Sequence, residues 1–462
     1  DDNTNYAFNI NDSANANSLR RGNAEFYYFS SNNNTLDFSD LRYDVENTYY
    51  GGLGGLLCSD ATRSTLYARY AEYSTENWTM NQSSLVSYSG TGASGTFYGF
   101  DENDSTNFVV VPKKINYTVV KGLQDSAFEN LGSSVSYILF PGGEFKKIGS
   151  TMLGTSNAVT KIQLPSGISE IASATFLNAS ELTDFILNKS AESTFSTPNG
   201  VLYNREKTTI YAHPRKKAMS NETIFESTTF IEEYACFECD EGMAELSLPN
   251  ISEIKDSAFR SADGLKSVIF GNALQNVAQY AFYSCSKLLT VENIGVVNEY
   301  SFANCNQLSY VTFNNYCISI SSYAFESCVN ITDIEVINET SLDVASYAFN
   351  NMSMLTDVKF QSPKINLKHY IFGENANVKN FTAFANGYGL SLNVGYDKVF
   401  ALSGCTKLVN IHIDSLNGGH VLKHNDGDEV EFKWFSDFVW YYSTDEVFSP
   451  SMTYWDYDFG TH

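Results

Sequence analysis

Between Ile254 and Phe372 the apolar positions repeat one phrase: IKDSAF, VAQYAF, VNEYSF, ISSYAF, VASYAF and LKHYIF. The phrases end at Phe259, Phe282, Phe302, Phe325, Phe349 and Phe372, with spacings of 23, 20, 23, 24 and 23 residues. Each carries an aliphatic residue five positions before the Phe and a small or polar slot three positions after it. Six residues after the Phe a second apolar run opens: LKSVIF, LLTVEN, LSYVTF, ITDIEV, LTDVKF and VKNFTA. Alternation inside that run predicts a short strand with one face turned inward. A fixed period near 23 predicts a solenoid of stacked turns, because one turn cannot bury its apolar side without neighbours.

Weaker copies extend the pattern in both directions. A start near Val109–Pro112 leads to LQDSAF at Phe128; Leu153, Phe176 and Cys236 then occupy the Phe slot, and YDKVF at Phe400 closes the array. The reading is about eleven turns of ~23 residues. The L-x-x-L-x-L core marks a leucine-rich-repeat solenoid, and the phrase resembles the BspA-like leucine-rich repeats of bacterial and protozoan surface proteins, roughly I-x-x-x-A-F-x-x-C-x-x-L-x-x-I-x-L. Residues 190–217, SAESTFSTPNGVLYNREKTTIYAHPRKK, look like the hairpin insert common in that family. The resemblance implies a repeat architecture and adhesive or host-interacting roles.

Outside residues 111–413 the pattern changes. Residues 1–110 mix an Asn-rich opening, aromatic runs and Gly/Ser/Thr connectors, which favours short strands and predicts a β-rich N-terminal region capping the first turn. The GGLGGLL cluster from Gly51 lacks the Lys-Ser/Thr of a phosphate loop. Residues 414–462 hold Trp434, Trp440 and Trp455 and read as an aromatic C-terminal cap over the last open core, or as a docking segment. Within it Trp440, Tyr454, Trp455, Tyr457 and Phe459 are the docking candidates.

Composition narrows the partners. A net charge of −24 disfavours nucleic acid and anionic membrane surfaces. The chain has no run of 18 apolar residues, so no membrane insertion is expected. Starting at Asp1 without Met reads as a mature chain after signal removal, hence extracellular or at a cell surface. Fourteen Asn-x-Ser/Thr sequons are glycosylation candidates: Asn11, Asn33, Asn77, Asn81, Asn103, Asn116, Asn178, Asn188, Asn221, Asn250, Asn330, Asn338, Asn351 and Asn380. Asn330, Asn338 and Asn351 are expected in exposed turns beside the strands.

Candidate chemistry is sparse. Cys236-Phe-Glu-Cys239 has the spacing of a redox or zinc pair, yet Cys236 falls in the Phe slot and Cys239 in the slot three beyond. Cys285, Cys305 and Cys328 share that second slot, which predicts a buried ladder of thiols acting as small hydrophobes. Cys58 and Cys317 lie outside it. Neither G-x-S-x-G nor H-E-x-x-H occurs, so the expectation is no enzyme, no cofactor and no metal. The third and fifth positions of the L-x-x-L-x-L frame should face outward, from Lys161 and Gln163 to Asn380 and Thr382. Among them Asp184, Glu292, Tyr310, Asp333, Glu335 and Asp357 form the candidate binding face. Two functions remain open: adhesion or recognition of a glycan, matrix or protein ligand, or self-association as a structural subunit of an extracellular filament or coat.

Overall fold

The structure, a computed structural model, describes residues 77–91, 95–98, 108–140, 144–165, 167–187, 194–221, 224–239, 245–373 and 377–394, with shorter stretches at 7–9, 25–30, 65–73, 401–402, 405, 407, 410–415, 420–424, 429–432 and 439–441. It is a β-solenoid of about eleven turns with almost no helix. Among the described residues, no helix is long and apolar enough to cross a membrane. The chain forms two compact units, Asp1–Lys217 and Ala218–His462.

In Ala218–His462 most turns give two short parallel strands. One row runs Phe230–Ile231, Glu253–Ile254, Asn276–Val277, Val296–Val297, Ser319–Ile320 and Leu342–Val344, each paired with the next. The other begins with Glu245–Leu248, Ser267–Phe270, Thr290–Ile294 and Tyr310–Phe313. It resumes with Asp333–Ile337, Asp357–Leu367 and Asn380–Val394, and Asp357–Leu367 is long enough to serve both rows. The repeated Phe lies between the rows: Phe259, Phe282, Phe302, Phe325, Phe349 and Phe372 are each 0% exposed. Their rings stack from turn to turn at 5.0, 5.1, 5.3, 5.9 and 5.8 Å. Removing such a ring from water stabilises a turn by about 2–3 kcal/mol, which is why the aromatic recurs at one position per turn.

Backbone bonds lock the register. From Cys236 to Phe349 the N–H of each slot residue donates to the carbonyl just before the next slot, Phe259 to Ala281 at 2.7 Å, Phe302 to Ala324 at 2.8 Å and Phe349 to Ile371 at 2.9 Å. Tight corners are made by two left-handed residues per turn. One lies two before the Phe (Tyr280 φ 56°, Tyr300 54°, Tyr323 58°, Tyr347 62°) and one two after it (Ser284 58°, Asn304 62°, Ser327 59°, Asn351 55°). Left-handed backbone costs a non-glycine residue about 1 kcal/mol. Inter-turn bonds help offset it: the N–H of Ser284 donates to Ala303 at 2.8 Å and that of Asn304 to Glu326 at 2.7 Å.

At the far end the structure corrects the frame. Cys405 N–H donates to Leu402 at 3.1 Å, as Cys285 does to Phe282 and Cys328 to Phe325. Leu402, not Phe400, therefore fills the slot, and Cys405 is a thiol of the ladder. The insertion between Phe372 and Leu402 stretches the spacing and conceals the position. Beyond it, Val439–Tyr441 lies antiparallel against Asn410–Ser415, with Trp440 opposite Ile411. That antiparallel strand sits at the sheet edge, where a cap is needed.

In Asp1–Lys217 the rows are Leu85–Tyr88, Gly122–Leu123, Lys147–Ile148 and Glu170–Ile171, and Phe108–Val110, Tyr137–Leu139, Lys161–Leu164 and Asp184–Leu187. The array thus begins earlier than Val109. Tyr88 N–H donates to Ala127 at 2.8 Å, as Phe128 does to Met152 at 2.9 Å, so Tyr88 holds a Phe slot. A Tyr in that slot, followed by a long connection to Phe128, hides this turn from the pattern. Trp78 closes over it, its ring 4.9 Å from Tyr88 and 5.6 Å from Phe128. The antiparallel strands Ala7–Asn9, Glu25–Ser30, Thr65–Tyr73 and Gly95–Tyr98 form a separate sheet, so the N-terminal region is β-rich. The insert is a hairpin: Phe195–Ser196 pairs with Leu202–Asn204, and Leu202–Asn204 with Thr209–Ala212.

Candidate interaction surfaces

The strand face differs between the two units. In Asp1–Lys217 the outward positions aligned with Val110 and Leu139 are closed: Val110 and Leu139 are both 0% exposed. Gln163, expected to face solvent, is 4% exposed. The aligned neighbours Val110, Leu139 and Ile186 are apolar and keep water off this row. Asp184 is half-buried and held by Lys217 of the insert, Nζ to Oδ1 2.7 Å, so it serves as an anchor for the hairpin.

In Ala218–His462 the same positions are open. Glu245, Ser247, Asp333, Glu335, Asp357 and Lys359 are exposed, and Glu292 is half-buried. Tyr310 is 49% and Ile269 39% exposed. Strand pairing puts Tyr310 beside Thr290, and Asp333 beside Asp357. Carboxylates stacked along a sheet repel unless bonded across, and several are: Glu335 meets Lys359 at 2.6 Å, and Asp357 accepts from Asn380 Nδ2 and Thr356 Oγ1, both at 2.6 Å. Asp333 accepts from Thr332 Oγ1 at 2.9 Å. The face is therefore ordered, polar and acidic, with Tyr310, Ile269 and Ile337 available for apolar contact.

The frame does not announce a second surface. The residue two before the Phe forms a column of tyrosines, Tyr280, Tyr300, Tyr323, Tyr347 and Tyr370, stacked at 5.2, 5.0, 5.3 and 5.8 Å. Partial burial, with neighbouring tyrosines and Glu326, holds the Tyr300 and Tyr323 phenols above the usual range. Gln279 and Glu299, which precede Tyr280 and Tyr300, line an open groove of about 670 Å³ together with Glu253 and Asn276 of the short strands. The repeated Y-A-F is the signal that could have found the column; the groove needs the fold.

The thiols lie in the core. Cys236, Cys239, Cys285, Cys305, Cys317, Cys328 and Cys405 are buried and in no disulfide. Three ladder sulfurs donate to the Phe-slot carbonyl of the previous turn: Cys285 to Phe259 at 3.0 Å, Cys305 to Phe282 at 3.0 Å and Cys328 to Phe302 at 3.1 Å. Burial pushes the Cys285, Cys305 and Cys328 thiols up, and that of the adjoining Cys236, which lowers their thiolate content and reactivity. Cys58 lies outside the described residues.

The sequons separate by burial. Asn77, Asn81, Asn116, Asn221, Asn250, Asn330 and Asn351 are exposed, and Asn178 and Asn380 half-buried. Asn338, expected in an exposed turn, is instead 3% exposed. Its Nδ2 donates to the carbonyls of Cys317 at 2.8 Å and Ser341 at 3.0 Å. Its Oδ1 accepts from Thr340 N–H at 3.2 Å and Ser362 Oγ at 2.7 Å. The asparagine is drawn inward because the turn leaves those backbone groups otherwise unsatisfied. Asn11, Asn33, Asn103 and Asn188, and the docking candidates Tyr454, Trp455, Tyr457 and Phe459, lie outside the described residues.

The profile described as BspA type Leucine rich repeat region matches in six copies, over residues 97–198, 211–293 and 290–394. Among solved structures, a leucine-rich repeat protein from Eubacterium ventriosum is 19% identical, with 63% of this chain and 96% of that one covered and a TM-score of 0.37. The pneumococcal vaccine antigen PcpA is 16% identical, covering 62% and 68%, with a TM-score of 0.43. A leucine-rich repeat protein from Bacteroides ovatus is 17% identical, covering 67% and 99%, with a TM-score of 0.34. No curated protein matches.

Proposed function

Because the chain belongs to the BspA-type leucine-rich-repeat family, we propose that it is a non-enzymatic, secreted or cell-surface recognition protein. Its ligand, a protein or glycan, meets the strand face of Ala218–His462. The observation that carries this reading is the open register of that face. Tyr310, Asp333, Glu335 and Asp357 are exposed on neighbouring strands, ~4.8 Å apart, while the aligned row in Asp1–Lys217 is closed at Val110, Leu139 and Gln163. An ordered row of carboxylates with one exposed ring offers hydrogen-bond acceptors and an apolar anchor without a rearrangement cost. N-glycans at the exposed sequons fit the same extracellular setting.

The test is retention of the whole chain on immobilised glycans and on surfaces coated with extracellular-matrix proteins. The variant Tyr310→Ala/Asp333→Asn/Asp357→Asn should lose at least tenfold in retention while keeping its circular dichroism spectrum. Retention equal to that of the unaltered chain removes the strand face from the reading.

A further inference from the structure

The groove on the other row of strands is a second surface, independent of the strand face. It is lined across five successive turns, from Glu232 to Ser321. At ~4.8 Å per turn it is roughly 20 Å long, the span of about six residues of extended chain. Its walls carry Glu232, Glu233, Glu253, Asp256 and Glu299 against one lysine, Lys255. That lysine is already engaged, its Nζ 3.1 Å from Glu253 Oε1.

The floor is a line of amides. Asn298 Nδ2 donates to Asn276 Oδ1 at 2.7 Å, and Asn276 Nδ2 reaches Glu253 Oε1 at 3.5 Å. These bonds hold the carboxylates at one edge in place before anything binds. Along the chain, Tyr280 and Tyr300 directly follow the groove residues Gln279 and Glu299. The tyrosine column already receives a cation. The Arg260 guanidinium stands 5.7 Å from the Tyr280 ring centre and 5.2 Å from that of Tyr283, within the range of cation–π attraction.

We propose that this groove binds an extended basic polypeptide segment. Its lysine and arginine side chains pair with the groove carboxylates, and an arginine adds to the tyrosine column as Arg260 does. Length selects a linear segment over a small cation, and charge selects a basic one. The arginine preference follows from the ring contacts, since guanidinium stacks on aromatic rings more readily than ammonium.

Binding of fluorescent hexa-arginine and hexa-lysine is measured at physiological salt by anisotropy, using the full chain. Two variants each remove four charges: Glu232→Gln/Glu233→Gln/Asp256→Asn/Glu299→Gln in the groove, and Glu292→Gln/Asp333→Asn/Glu335→Gln/Asp357→Asn on the strand face. The groove variant should bind hexa-arginine at least tenfold more weakly and the strand-face variant less than threefold, with hexa-arginine preferred to hexa-lysine by the unaltered chain. Equal weakening by both variants assigns the binding to net charge alone and overturns the proposal, as does a groove variant that binds normally. Hydrogen exchange on the unaltered chain gives an independent readout. Bound hexa-arginine should slow exchange at residues 253–257 and 276–280, and protection confined to the strand face overturns the site. Loss of strand-face retention without loss of hexa-arginine binding separates the two surfaces.

Discussion

At Cys285, Cys305 and Cys328 the sulfur is both filler and donor, and each role has a measurable consequence. Burial keeps these thiols protonated in the folded chain above their ordinary value of 9.0. The unfolded chain releases those protons first. The stability tied to them is thus complete below the unfolded value and is lost as pH rises through it toward the folded values. The urea midpoint should fall between pH 8 and pH 10, and fall less in the variant with all three cysteines changed to Ala. All three should resist a thiol reagent in native buffer and react after denaturation; rapid native labelling contradicts the buried ladder. Asn338 makes the second case. With four hydrogen bonds, two within its own turn and two to the turns on either side, Asn338→Ala should cost about 2–3 kcal/mol, read from urea unfolding. In a eukaryotic secretory host, mass spectrometry should find glycan at Asn330 and none at Asn338. A glycosylated Asn338 means that this turn forms after modification.

Among the elements, the turn is the unit that fails. Phe325→Ala removes a ring stacked on both Phe302 and Phe349 and should cost about 3–5 kcal/mol. Hydrogen exchange should show the loss of protection in the turns of Phe302, Phe325 and Phe349, and little at Phe259, because each repeat couples only to its neighbours. Uniform loss along the unit means that it unfolds as a single block. The turns from Phe259 to Phe372 were legible in the sequence because an identical core slot demands an identical residue, and the sequence placed the slots at Leu153, Phe176 and Cys236 on the same spacing. What escaped it were positions whose role depends on a neighbour in space. Leu402 is concealed by an insertion, Tyr88 by a long connection, and Asn338 by carbonyls contributed from Cys317 and Ser341. Gln163 reads as outward by alternation, yet the row aligned with it is apolar. The tyrosine column was visible as Y-A-F, but its stacking was not, since nothing in one repeat says that two rings meet.

At the scale of the whole chain, −24 charges make self-association costly unless a specific contact opposes the repulsion. The aromatic run at residues 448–462, with Tyr454, Trp455, Tyr457 and Phe459, is our proposed docking element. Deleting it should leave a folded protein by circular dichroism that no longer self-associates in light scattering, while retention through the strand face persists. Unfolding on deletion assigns the whole tail to the cap, and unchanged behaviour moves the contact elsewhere. The inter-turn bonds from Phe259 to Ala281, Phe302 to Ala324 and Phe349 to Ile371 have a mechanical consequence as well. They join one turn only to the next, so a pull on a free end loads one rung at a time rather than all of them in parallel. Each turn that peels away releases at most ~3.5 Å per residue, or roughly 80 Å for a turn of this period. Held at a surface, as we propose, such a chain should yield to drag in steps, each letting out the length of one turn.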